Sequence, residues 1–338
     1  MAPRAFITGL SGLTLTVDER AFLRETRPWG LILFKRNIEN KKQVIDLVRE
    51  ALHEVGVHAP VLIDQEGGRV QRLGPPLWPA YPPGAAYGRI YDRDPHAGLV
   101  AARLGARLIA ADLIELGINV DCLPLADVPV GGADQVIGDR AYGTTPHKVA
   151  AIAGAVAEGL AAGGVLPVLK HIPGHGRANA DSHHKLPVVR ADRAALEATD
   201  FAAFRPLNKL PLAMTAHVVF TAYDPVRPAT TSATMIGEVI RGFIGFDGLL
   251  MGDDVSMNAL SGSIAERARA SLSAGCDLVL HCNGKMDEMR AVASEAPELS
   301  GDAKRRADAA LAVRKSPAGI DLPAARREFA AMMTSGMV

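Results

Sequence analysis

The sequence predicts an α/β protein, a single-domain (β/α)8 TIM barrel, on two observations. Eight short, continuous apolar runs alternate with helix-length segments, and unbroken apolar strands are what a parallel sheet covered on both faces requires. Most of these runs empty into charged or otherwise reactive residues, as happens where all strands of a barrel end on one face. The 338-residue length suits one barrel of about 250 residues with extensions. A doubly wound open sheet is the alternative, but no GxGxxG follows a strand and no GxxxxGK(S/T) occurs.

The runs and helices come in order. Ala5 to Thr8 is the first apolar run; Thr16 and Glu19 form a capping-box pattern that opens an amphipathic stretch to about Glu25. Gly30 to Phe34 opens onto Lys35, Arg36 and Asn37, and a helical pattern covers Lys41 to Val55. Pro60 to Ile63 opens onto Asp64, Gln65 and Glu66, and a Pro/Gly-rich loop is expected over Leu73 to Tyr87. His96 to Leu116 reads as a helix, Ile118 to Asp121 as a strand, Val149 to Ala162 as a helix and Val165 to Lys170 as a strand. Then come a helix at Arg193 to Phe204, a strand at Leu212 to Thr215, a helix at Ser232 to Arg241 and a strand at Gly248 to Gly252. A helix at Ile264 to Ala274 and a strand at Asp277 to Leu280 complete the eighth unit, and the remainder to about Met333 is rich in helix.

Lys plus Arg and Asp plus Glu both number 37, so the formal charge is zero, which argues against a general nucleic-acid or anionic-membrane binder. Three cysteines with no CxxC spacing suggest a reducing compartment and no structural zinc. The N-terminus lacks a signal-peptide pattern. Val149 to Leu169 carries only Glu158 as a charge, yet its alanines, four glycines and a proline fit a helix, a turn and a buried strand better than a membrane span. The expectation is a cytoplasmic monomer without cofactor or metal, forming one domain over residues 1–338 whose C-terminal part is helical.

The stretch Val168 to Pro187, VLKHIPGHGRANADSHHKLP, is an apolar strand running into a polar, glycine-rich loop with four of the chain's ten histidines. Asp181, two residues before His183, is placed to orient that imidazole and stabilise its charged form, which makes His183 a candidate general acid and base. Asp253, at the end of a strand, is a candidate nucleophile. Asp254 follows it on an extended backbone, so only one of the two should face a pocket. Arg36, Asp64, Asp121, Lys170, His171, His217 and His281 also end apolar runs. A metal-dependent hydrolase using the loop histidines, His171, His175 and His183, with Asp253 is the rival chemistry, although no HExxH or His-x-His is present.

Several segments together carry a resemblance: IDQEGGRVQRL (63–73), VIGDRAYG (136–143), KHIPGHGRANADSHHKLP (170–187), MTAHVVF (214–220) and MGDDVSMNAL (251–260), with GLILFKRNI (30–38) and AGCDLVLHCN (274–283) in agreement. The chain resembles glycoside hydrolase family 3, most of all its bacterial β-N-acetylglucosaminidase branch, which recycles cell-wall fragments. That resemblance implies a barrel that removes terminal non-reducing N-acetylglucosamine with retention of configuration. It implies Asp253 as nucleophile, and Asp181 with His183 as the acid/base dyad. It also implies that Asp64, Arg72, Arg140, Lys170 and His171 hold sugar hydroxyls. Ile172 stands where Phe is usual and Gly252 where Ser is common. A β-glucosidase is the neighbouring possibility within the family. Gly174 and Gly176 are expected to act as hinges of the His183 loop.

Overall fold

A computed structural model describes residues 2–182 and 184–335. Eight parallel strands close into a barrel in chain order. They are β1 (Arg4–Gly9), β2 (Pro28–Leu33), β3 (Val61–Ile63), β4 (Val120–Asp121), β5 (Leu166–Ile172), β6 (Leu212–Thr215), β7 (Leu249–Asp254) and β8 (Leu278–His281). Pairing of β1 with β8, Phe6 opposite Val279 and Ile7 opposite Leu280, closes the ring. Each strand lies within a few residues of the apolar run that predicts it. All seven residues of β5 are buried, as a strand covered by side chains inside and helices outside must be.

The helices occupy the outer layer. In α1 (Val17–Thr26) the Thr16 hydroxyl accepts the Glu19 N–H and the Glu19 carboxylate accepts the Thr16 N–H, so the capping box is formed as predicted. Next come α2 (Lys41–Val55), α3 (Gly84–Arg93), α4 (Pro95–Ile114) and α5 (Pro146–Ala162). After α6 (Arg193–Ala198), residues Met235–Phe243 wind with the wider π spacing, and α7 (Ile264–Ala274) and α8 (Met286–Glu295) complete the ring. Then α9 (Gly301–Ala312) and α10 (Leu322–Ser335) cover the outside. Phe329 of α10 packs beside the Tyr81 and Tyr87 rings, while Arg326 pairs with Asp112 at 2.6 Å. Val149 to Leu169 resolves into most of α5, a turn and the start of β5; among the described residues no helix is long and apolar enough to cross a membrane.

Two expectations are corrected. The Pro/Gly-rich stretch does not stay a loop to Tyr87, because α3 starts at Gly84, directly after Pro83 as its N-cap. Its glycines are there for contact. A Cβ at Gly84 would stand 2.1 Å from the Arg140 carbonyl oxygen, and one at Gly88 2.1 Å from that of Tyr142. The bare face of α3 therefore lies directly against the backbone that presents Arg140. Gly84→Ala is expected to lower stability by about 1–3 kcal/mol by overpacking, visible as a lower melting temperature. The second correction is that the helix expected over Arg193 to Phe204 ends at Ala198. Thr199 and Asp200 leave it to hold Arg177 of the β5 loop, at 2.8 and 2.6 Å.

Candidate active site

The C-terminal strand ends surround a cavity of about 290 Å³. A larger one, about 1020 Å³, opens at the other end of the barrel near the starts of β5, β6 and β7. Its lining includes six alanines and three prolines, Arg305 and Arg306 there are paired with Asp247 and Asp277, and it gathers none of the strand-end groups singled out above. The chemistry belongs to the smaller cavity. Asp64, Arg72, Arg140, Lys170, His171, Asp181 and Asp253 all line it. His183 lies outside the described residues.

One side of the cavity is a chain of buried ion pairs. Lys170 Nζ sits 3.0 Å from Asp64 and 2.7 Å from Glu66. Arg72 donates to the other Asp64 oxygen at 3.0 Å, and Arg140 grips Glu66 with two bonds of 2.9 and 2.8 Å. Burial alone would push both carboxyls up. Lys170 in first place, then Arg72 for Asp64 and Arg140 for Glu66, outweighs it: Asp64 is held well below the carboxylate range and Glu66 falls to about 2. Burial would lower Lys170, but Glu66 and Asp64 hold its ammonium charged. Asp121 lies deeper, fully buried, with one oxygen accepting the Gln65 N–H at 2.9 Å. Its pKa is raised strongly by burial, and Asp64 and Glu66 add to the rise. Asp121 and the fully buried Cys122 belong to the packed interior rather than to the cavity wall.

His171 is oriented by Asp127, which accepts from its Nδ1 at 2.7 Å and from the His175 N–H at 2.6 Å. The imidazole therefore carries a proton on Nδ1. Burial would raise Asp127, but His171 reverses this and keeps it ionised. His175 is pushed down to about 4, first by burial and then by the neighbouring His171, so its ring is neutral near pH 7.

Asp253 and Asp254 end β7, and both border the cavity, contrary to the expectation from strict strand alternation. The register of β7 against β8 shifts between Met251 and Asp254, which breaks the alternation there. The two are still unlike. Asp254 accepts the Ser256 and Cys282 N–H groups at 2.9 and 3.1 Å and the Ser256 hydroxyl at 2.6 Å, so it shapes the loop. His217, buried behind the site, donates Nε2–H to the Asp254 carbonyl at 3.0 Å.

Two other strand-end groups stay out of the cavity. Arg36 bonds the Leu10 and Cys282 carbonyls, tying the β1 and β8 loops together. His281 bonds Glu288 at 3.2 Å. Gly176 is a contact glycine, since a Cβ there would stand 2.1 Å from the Val128 carbonyl oxygen. Glu66 is not among the candidates the sequence offers, and Asp127, from the sequence alone, stands even between structural support and sugar contact. Glu66 stands two residues from Asp64 in an extended ribbon, the spacing that puts two side chains on one side. Among the described residues no group of three or more His, Cys, Asp and Glu is arranged to hold a metal ion.

A barrel with an acid at the end of β7, a second acid on the β5 loop and a hydrogen-bonding wall defines a sugar-cleaving enzyme, and this chain belongs to glycoside hydrolase family 3: residues 11–312 match the family's N-terminal domain. It is 41% identical over 281 residues to a β-hexosaminidase of Alkalilimnicola ehrlichii, covering 81% of this chain and 79% of that one. NagZ of Neisseria gonorrhoeae, solved in complex with N-trifluoroacetyl-D-glucosamine, superposes with a TM-score of 0.86 at 31% identity, over 99% of this chain and 98% of that one. A β-N-acetylglucosaminidase of Paenibacillus sp. superposes with the same score at 29% identity, over 98% of this chain but 66% of that protein's length.

Proposed function

We propose that this enzyme is a retaining exo-β-N-acetylglucosaminidase that removes terminal non-reducing N-acetylglucosamine from cell-wall fragments such as muropeptides. The observation that carries this reading is the small cavity with the Asp64–Lys170–Glu66–Arg140 network along it and Asp253 and Asp181 beside it. Ligand pockets run from about 300 to 1,000 Å³, so a cavity at the bottom of that range suits one sugar ring, which is exo cleavage. The N-acetylglucosamine specificity rests on the names of the relatives. The helices after β8 pack on the barrel as parts of the same domain, and three free thiols agree with a cytoplasmic location.

In this mechanism an Asp253 carboxylate oxygen attacks the anomeric carbon as its bond to the leaving oxygen breaks. His183, oriented and charged by Asp181, gives its proton to that oxygen. Water then attacks the glycosyl-aspartate, His183 takes the water's proton, and Asp253 leaves as carboxylate. Most retaining glycosidases use two carboxyl groups about 5 Å apart; an imidazole replaces the second one here. Asp64, Arg72, Arg140, Lys170 and His171 hold the sugar hydroxyls. The salt-bridged pairs keep their charges fixed before substrate arrives, so little reorganisation accompanies bond breaking. Assay of nitrophenyl N-acetylglucosaminide beside nitrophenyl glucoside is expected to favour the former by at least about a hundredfold, well within the roughly 10⁴-fold that hydrogen-bonded recognition of a substituent can reach. Equal rates would refute the assignment.

A further inference from the structure

Ser182 stands between Asp181 and His183, and it is buried although it sits near the tip of a polar loop. Its hydroxyl lies 3.2 Å from His175 Nε2, at the base of the same loop. Its carbonyl accepts the Ala259 N–H at 3.2 Å, from the β7 loop six residues beyond Asp253. His175 is itself fixed, since its N–H is bonded to Asp127, the residue that orients His171. A hydroxyl, a carbonyl and a buried imidazole thus join the β5 loop to the β7 loop at one point. We propose that Ser182 is a positioning residue for the proposed glycosidase reaction: it pins the Asp181 segment to its own loop base through His175 and to the loop that follows Asp253.

The physical reason is reach. A proton donor acts only within hydrogen-bond distance of the leaving oxygen. Its carrier loop has glycines at 174 and 176 and, among its described residues, no helix or strand until Val188. Three neighbouring anchors hold the first half of that loop: Gly176 against Val128, Arg177 on Asp200 and Thr199, and Ala178 O accepting the Asp134 N–H at 2.8 Å. Ser182 supplies the anchor next to the dyad itself.

The inference rests on the glycosidase reading, so the test has one readout independent of turnover. Hydrogen exchange is followed in wild type, Ser182→Ala and His175→Leu, the second removing the same contact from its other end. In both variants the 174–187 segment and the Ala259 amide are expected to exchange about fivefold faster, because a buried hydrogen bond of this kind is worth roughly 1 kcal/mol, with the barrel strands unchanged. The second readout compares dinitrophenyl and methyl N-acetylglucosaminides. A dinitrophenolate leaves unaided, whereas an alkoxide needs its proton, so both variants are expected to lose about tenfold or more in kcat/KM on the methyl glycoside and less than about threefold on the other. Unchanged exchange would overturn the pin. Faster exchange with equal losses on both substrates would overturn the positioning role. A wild type inactive on N-acetylglucosaminides refutes the substrate assignment instead, while exchange still decides the pin.

Discussion

Asp253→Ala is expected to reduce hydrolysis of nitrophenyl N-acetylglucosaminide by about 10⁴-fold or more, the scale seen when a nucleophile is removed from an enzyme that forms a covalent intermediate. The melting temperature serves as the control for folding. Azide is expected to restore part of the rate by entering the vacated space and attacking the same face, giving a glycosyl azide of α configuration. In wild type a fluorinated sugar that slows the second step should add its mass to the tryptic peptide holding Asp253. A neighbouring variant sharpens the assignment. Asp254→Asn keeps an oxygen for the Ser256 and Cys282 N–H groups and should lose much less activity. Comparable losses from the two substitutions would leave Asp253 without its special role.

Lys170→Met is expected to be the most damaging change to the sugar-holding wall. It leaves Asp64 and Glu66 buried with one cation fewer, and breaking a buried pair from one side typically costs about 3–5 kcal/mol. Activity should fall as well, since the wall then lacks both a donor and its rigidity. The pH dependence gives the sign. In wild type the Glu66 carboxyl is depressed from 4.5 to about 2, so its contribution to stability is complete above about pH 4.5 and disappears as the pH falls towards 2. In the variant both carboxyls lose their largest cationic partner and rise. The gap in urea midpoint between the two proteins should be widest near neutral pH and shrink below about pH 4.5, where protonation relieves the unpaired charges. A gap that is constant across pH 3 to 7 would show that Lys170 acts by packing alone.

How much of this was legible depends on the range of the interaction. The strands could be read because a strand covered on both faces has no polar alternation to confuse the pattern, and because most of them end in a reactive residue. Asp64, Lys170, His171 and Asp253 are such residues, and all four line the cavity together with Asp181 of the β5 loop. What the sequence hid is non-local. Gly84 looks like a loop residue, and Gly88 carries no signal of its own, until the Arg140 and Tyr142 carbonyls, more than fifty residues on, are seen lying against them. Asp127 acquires meaning only from His171 and His175, which β5 brings to it. Helix α6 ends early for Arg177, a residue of a different segment. The pointing of Asp254 escaped alternation because β7 shifts register at that place.

The small cavity sits on the C-terminal strand ends of a barrel whose interior, Asp121 and Cys122 included, is filled with buried side chains rather than open as a pore. A ring seated at the bottom can depart only along its path of entry, which the remainder of the substrate blocks until cleavage. Departure is therefore ordered, aglycone before monosaccharide. On the proposed reaction each encounter is expected to trim a single residue, with accumulating free sugar competing with the next chain end.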